Sequence, residues 1–271
     1  MFCIIISLIF LSGDPIVHFL RYIYQVFKFY PRFQFKLKWA QKLRHGFGFF
    51  QDHHHCLGRF SRRYGYLSQN GQDYFLDQKI FHQKTNGVFV DVGTFEPEFD
   101  NATIFFEKNR NWTGMAIEPQ LAHVNKWRLL RKSPIVHAAA SRSDGSAEFV
   151  VVNHPNVMNY NAWSGLKSSI ANEKMNQLPD GAYRSSISVP TISISKALDQ
   201  NGIKEVDFLS IDVEGHELEA LSGINFKRHS IKCIVIENDI LPEGDPIIHN
   251  FLKEHGYKYI ARLTSDDVFV K

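Results

Sequence analysis

Gly87-Val88-Phe89-Val90-Asp91-Val92-Gly93-Thr94-Phe95-Glu96-Pro97 is the stretch that decides how this chain is read. Val88, Phe89 and Val90 form a short apolar, β-branched run that stops on Asp91 and breaks at Gly93, the pattern of a buried strand entering a tight turn. In open α/β sheets, ligands collect beyond the carboxyl ends of the strands, where such a turn leads into the next helix. The turn lacks the three glycines whose bare N–H groups would face a pyrophosphate, which disfavours a nicotinamide-dependent oxidoreductase. It carries acids instead, at Asp91, Glu96, Glu98 and Asp100. They suit a cationic or hydroxyl-rich ligand.

Outward from this strand the chain alternates strand-like and helix-like segments. Asp73 to Phe81 reads as a helix ahead of it, and Asn101 as the N-cap of a helix running to Asn109. Strands follow at Gly114 to Glu118, Ile135 to Ala140, Ala147 to Val152, Val206 to Ile211 and Lys232 to Ile236. Helices are expected at Leu121 to Lys132, Ile194 to Gln200, Glu217 to Leu221 and Ile247 to His255, and a closing hairpin at Tyr257 to Leu263 with Asp267 to Val270. Such alternation predicts a doubly wound α/β fold with a mostly parallel sheet. Asn153 to Val189, rich in Asn, Ser, Gly and Pro, is read as an irregular insertion or lid on the substrate side.

Composition sets the outer bounds. A net charge of +3 over 271 residues gives no reason to invoke nucleic acid. The three cysteines, Cys3, Cys56 and Cys233, are odd in number and far apart, which speaks for a reducing, cytoplasmic setting over a disulfide framework. Residues 1–65 form an extension of different character. Met1 to Leu11 is apolar but is interrupted by Ser12, Gly13, Asp14 and Pro15, too early for a membrane span. Ile16 to Tyr30 mixes aromatic and basic residues, and Arg21 to Arg63 holds Asp52 as its single acid, so peripheral membrane contact through this arm is one expectation. The run His53-His54-His55-Cys56 is read as an exposed loop, because consecutive side chains point in different directions and cannot all converge on one metal.

Four strand ends carry acids: Asp91, Glu118, Asp212 and Glu237. In a parallel sheet they meet on one rim. Glu118 follows Asp91 at roughly the interval at which an acid after the second strand meets ribose hydroxyls. Asp212 opens the run Asp212-Val213-Glu214-Gly215-His216-Glu217, where Gly215 permits a sharp turn and Asp212, Glu214 and His216 are poised for acid/base work.

Six motifs stand in order: Ser68-Gln69-Asn70-Gly71-Gln72-Asp73, Phe89-Val90-Asp91-Val92-Gly93, Phe105-Phe106-Glu107-Lys108, Asn111-Trp112-Thr113-Gly114, Ile117-Glu118-Pro119, and Val206 through Glu217. In these, the chain from about Tyr66 to Lys271 resembles the FkbM-type S-adenosylmethionine-dependent methyltransferases. The resemblance implies a seven-stranded Rossmann-like sheet with an antiparallel final strand over residues 66–271, and methyl transfer to a hydroxyl oxygen of a sugar or other small-molecule acceptor. Carried over by position, Asp91 and Gly93 would shape the methionine end of the cofactor pocket and Glu118 would hold the ribose hydroxyls. Ala140 and Ser141 would lie near the adenine, and Gln72 and Asp73 match a family motif. Asp212 or His216 would be the base, with Glu214 orienting the site or holding substrate. A divalent cation on Asp212 and Glu237 is the alternative. Pro97, Ala102 and Thr94 depart from the family pattern. On that account a catalytically degenerate, membrane-associated binding module is the other function considered.

Overall fold

The computed structural model describes residues 61–154, 162–170, 178, 180–239 and 244–271. The arm 1–60, with the expected membrane contact and the His53–Cys56 run, lies outside the described residues. Among those that are described, no helix is long and apolar enough to cross a membrane.

Strand β1 (Val88–Val92) is an interior strand of the sheet, paired in parallel with β2 (Thr113–Glu118) on one side and β8 (Glu205–Ile211) on the other. The remaining strands of this sheet are β3 (Ile135–His137), β9 (Ser230–Glu237), β10 (Lys258–Leu263) and β11 (Asp266–Val270), giving the order β10-β11-β9-β8-β1-β2-β3. β11 alone runs against its neighbours, pairing antiparallel with both β9 and β10. The mostly parallel, seven-stranded, Rossmann-like sheet with one reversed strand is therefore present as expected.

Alternate residues of each strand point to opposite faces, so each face acquires its own helical layer. Val90, Met115, Leu209 and Ile234 pack on one face against helices α4 (Ile194–Gln200), α5 (Glu217–Ser222) and α6 (Pro246–Glu254). Phe89, Ala116, Phe208 and Cys233 pack on the other, against α1 (Gln72–Phe75), α2 (Ile104–Asn109) and α3 (Leu121–Leu130). Burial on both faces explains why these strands read as continuous apolar runs. Helix α1 continues as a π-helical turn, Leu76–Ile80, so the expected helix over 73–81 is present in two geometries.

Local chemistry sets the helix starts. The Asn101 side chain accepts from the N–H groups of Thr103 and Ile104, so it caps α2 from two residues further out than expected. Ser193 caps α4, and Asp245, followed by Pro246, caps α6.

Two expectations need correction. Ile135 to Ala140 is two strands: β3 joins the main sheet, and β4 (Ala139–Ala140) joins a second one. The Asn153 to Val189 stretch contains regular structure in its described part. β5 (Gly145–Asn153) pairs antiparallel with β7 (Tyr183–Ile192) over nine registered positions and with β6 (Gly165–Leu166), and β4 completes the sheet. Tyr183 to Ser188 is exposed and serine-rich, so the strand is held by its ladder with β5 and gives no apolar signal.

Candidate active site

The carboxyl edge of the main sheet opens into a cavity of about 630 Å³. Asp91, Glu118, Asp212 and Glu237, one from each of four neighbouring strand ends, all line it, together with Asp266 at the start of the reversed β11. The second sheet also lines it, through Ala139, Ala140, Phe149 and Leu166, with Trp163 and Ser164 from the adjoining segment.

Asp91 is a buried hub. Its Oδ2 accepts from Thr94 Oγ1 (3.2 Å), Asn101 Nδ2 (2.8 Å) and Thr103 Oγ1 (2.7 Å). Burial raises its carboxyl above the ordinary aspartate range, while the Thr103 hydrogen bond and the Arg131 charge oppose the shift. Arg131 was not found from the sequence. Its buried guanidinium bonds Glu107 Oε2 (2.6 Å), the Pro97 carbonyl (2.9 Å), Asn101 Oδ1 (3.2 Å) and Thr103 Oγ1 (3.0 Å), and lies over the Trp127 ring. It ties down the loop after β1. A basic residue just past a helix end gives no sequence sign of this, because its partners are set by tertiary packing.

Gly93 has φ of +76°, and a Cβ there would lie 1.7 Å from the Asp212 carbonyl oxygen. Only glycine lets the β1 and β8 loops approach so closely. The departures from the family pattern fit this loop. Phe95 and Asp100 take the left-handed conformations, Pro97 offers only its carbonyl to Arg131, and the Thr94 hydroxyl serves Asp91.

Glu118 is buried, with Oε2 accepting from the Phe95 N–H and Oε1 from the Gln120 N–H. Loss of hydration pushes its carboxyl up to about 7 against those two hydrogen bonds, and the Asp91 charge adds to the rise. Ala140 lines the cavity, whereas Ser141 is not among its lining residues and bonds His216. Gln72 lines it too, spanning from the Asn70 N–H to Asp266 Oδ2. Asp73 is not brought to the cavity: its buried carboxylate accepts from the N–H groups of Leu67, Ser68 and Tyr74 and from the Ser68 hydroxyl, closing the turn before α1.

The Asp212–His216 turn is fixed by Glu217, whose Oε1 accepts from the Val213 and Gly215 N–H groups. Glu214 and Gly215 both have positive φ, +57° and +94°, which turns the chain sharply into α5. Asp212, Glu214 and Glu237 each place a carboxylate oxygen within 4.8 Å of the others, a hard oxygen set of the kind that holds a divalent cation or shares protons. Loss of bulk water deep in the cavity, then the charges of Glu214, Asp266 and Glu217, pushes Asp212 well above the ordinary range, while its side chain stays open to the cavity. Glu237 is raised for the same reasons, with Asp212 its strongest charged neighbour, so the two titrate as a unit. Register puts Asp266 directly opposite Glu237, and burial raises Asp266 to about 6. His216 is buried and held below its usual range by loss of hydration.

Among known proteins, a methyltransferase from Geobacter sulfurreducens shares 9% identity over 79% of this chain and 85% of its own, with a TM-score of 0.39. Precorrin-6y C5,15-methyltransferase from Geobacter metallireducens GS-15 shares 14% over 74% of this chain and 86% of its own, at 0.36. The methyltransferase FkbM of Methylobacillus flagellatus KT shares 12% over 69% of this chain, at 0.43, and the match spans 44% of that protein's length. None of the curated proteins matches this chain. The sequence model of the methyltransferase FkbM domain matches residues 91–259, more than half of the 271, from the Asp91 hub to the closing hairpin. This chain therefore belongs to the FkbM methyltransferase family.

Proposed function

We propose that this protein is an S-adenosylmethionine-dependent O-methyltransferase whose acceptor is a sugar or another polyhydroxylated small molecule. The observation that carries the reading is the convergence of Asp91, Glu118, Asp212 and Glu237 on one cavity large enough for a cofactor and an acceptor together. The residues present fit the cofactor. Glu118, anchored by two backbone N–H groups, presents a carboxylate to a ribose diol, and Ala139, Ala140 and Phe149 offer an apolar wall to an adenine. Carboxylates nearby suit the sulfonium and ammonium groups. Bound there, the cofactor supplies an electrophilic methyl group.

The protein's own part is to align the acceptor hydroxyl and take its proton. Asp212 is the best-placed base: it opens to the cavity, and its raised pKa brings it closer to working pH. Glu214 and Glu237 stand beside it to hold acceptor hydroxyls. Among the described residues, Lys126 is the one Lys or Arg that lines the cavity, and it is paired with Glu96. That polarity favours a neutral or cationic acceptor over a phosphorylated or carboxylated one.

Calorimetry with S-adenosylmethionine tests the reading first. Micromolar binding to full-length protein is expected, followed by labelled-methyl transfer into a panel of neutral and amino-substituted glycans. Folded protein that binds no S-adenosylmethionine would overturn it.

A further inference from the structure

One imidazole joins three parts of the cavity. His216 Nδ1 lies 2.6 Å from the Ser169 hydroxyl and Nε2 lies 3.1 Å from the Ser141 hydroxyl. Ser169 follows β6, on the segment that brings Trp163 and Leu166 to the cavity, and Ser141 follows β4 directly. The two segments approach closely at glycines: a Cβ on Gly215 would lie 2.9 Å from the Ser169 carbonyl oxygen, and one on Gly165 would lie 3.2 Å from Glu214 Cβ and 3.4 Å from the Glu214 carbonyl oxygen. A hydroxyl can donate or accept, so the two serines engage both ring nitrogens whichever of them carries a proton.

We propose that His216 is a positioning residue, which through Ser169 and Ser141 locks the Trp163–Leu166 wall onto the turn carrying Asp212 and Glu214. The clasp sets the wall in place before ligand enters, so ordering it costs nothing on binding. This rests on the methyltransferase reading, and S-adenosylmethionine is the probe.

Ser169→Ala removes the shorter of the two bonds in the full-length protein. Its affinity for S-adenosylmethionine by calorimetry is expected to fall about fivefold, the worth of one buried hydrogen bond. Ser169→Thr keeps the hydroxyl and should restore affinity to within about twofold of wild type, while ligand-free Ser169→Ala keeps a melting temperature within about 4 °C of wild type. Because Ser169 acts through the ring, Ser169→Ala added to His216→Asn should cost nothing further. The inference is overturned if Ser169→Ala binds like wild type, if Ser169→Thr is as weak as Ser169→Ala, or if the two losses add. Absence of binding by the wild type is a separate result that removes the methyltransferase reading and this inference with it.

Discussion

Replacing Asp91 by alanine tests the loop architecture and the ligand reading together. A carboxylate merely sitting at the rim would be removable at no cost to the fold, but here Oδ2 accepts three hydrogen bonds in a buried setting. Each buried donor left without an acceptor costs roughly 1–3 kcal/mol. The losses are not independent. Asn101 Nδ2 retains Thr94 Oγ1 at 3.1 Å, and the Thr103 hydroxyl can turn to Asn101 Oδ1 at 2.9 Å. Asp91 also carries a desolvation penalty of its own, which the substitution relieves. The net is about 2 kcal/mol, and at about 2–4 °C per kcal/mol for a domain of this size the melting temperature should drop by about 4–8 °C. The assay is thermal unfolding by circular dichroism, with and without S-adenosylmethionine. The wild type, at a ligand concentration of about 100 times Kd, should gain about 2.7 kcal/mol, and the variant little of it. A ligand-free melting temperature within about 1 °C of wild type would refute the hub, and an undiminished ligand-induced shift would refute its place at the binding site.

Further outcomes follow from the same geometry. Gly93→Ala places a Cβ against the Asp212 carbonyl oxygen at positive φ, so it should destabilise by about 3 kcal/mol or more and abolish S-adenosylmethionine binding; a normal melting curve would contradict the packing. Glu118 is raised from 4.5 to about 7, so its folded form favours the proton: this contribution to stability is present below about pH 4.5 and is lost as pH rises through 7. The contribution is about 3 kcal/mol, and Glu118→Gln should flatten the dependence over that window, read by chemical denaturation at several pH values. If the ionised form holds the ribose, calorimetry should also show affinity for S-adenosylmethionine rising with pH through 7 in the wild type and not in Glu118→Gln. Asp212→Asn should leave that affinity within about threefold and lower turnover by about 10²–10⁴-fold; unchanged turnover would remove Asp212 as the base.

Several features of the site needed no coordinates. Alternating strand and helix segments imply a parallel sheet, a parallel sheet gathers its strand ends, and acids at four of those ends therefore had to converge. That chain of reasoning rests on period and direction, which are local properties, and the four strand-end carboxylates all line the one cavity. The strand bounds for β1, β2, β8 and β9 were legible to within two residues because double-faced burial leaves an unbroken apolar run.

What tertiary structure decided is of a different kind. Asp73 and Ser141 each follow a cavity residue in sequence, yet the fold points one into a local turn and the other at His216. Arg131 stands in no motif and Glu217 closes one with no role assigned to it, yet they fix the two loops that form the site. The second sheet was hidden because β7 is polar and owes its order to the ladder with β5. Sequence periodicity reports which face of an element is buried, and so it determined the sheet, its direction and the acidic rim. Hydrogen-bond partners between distant segments depend on where those segments come to rest in space, and only the folded chain fixes that.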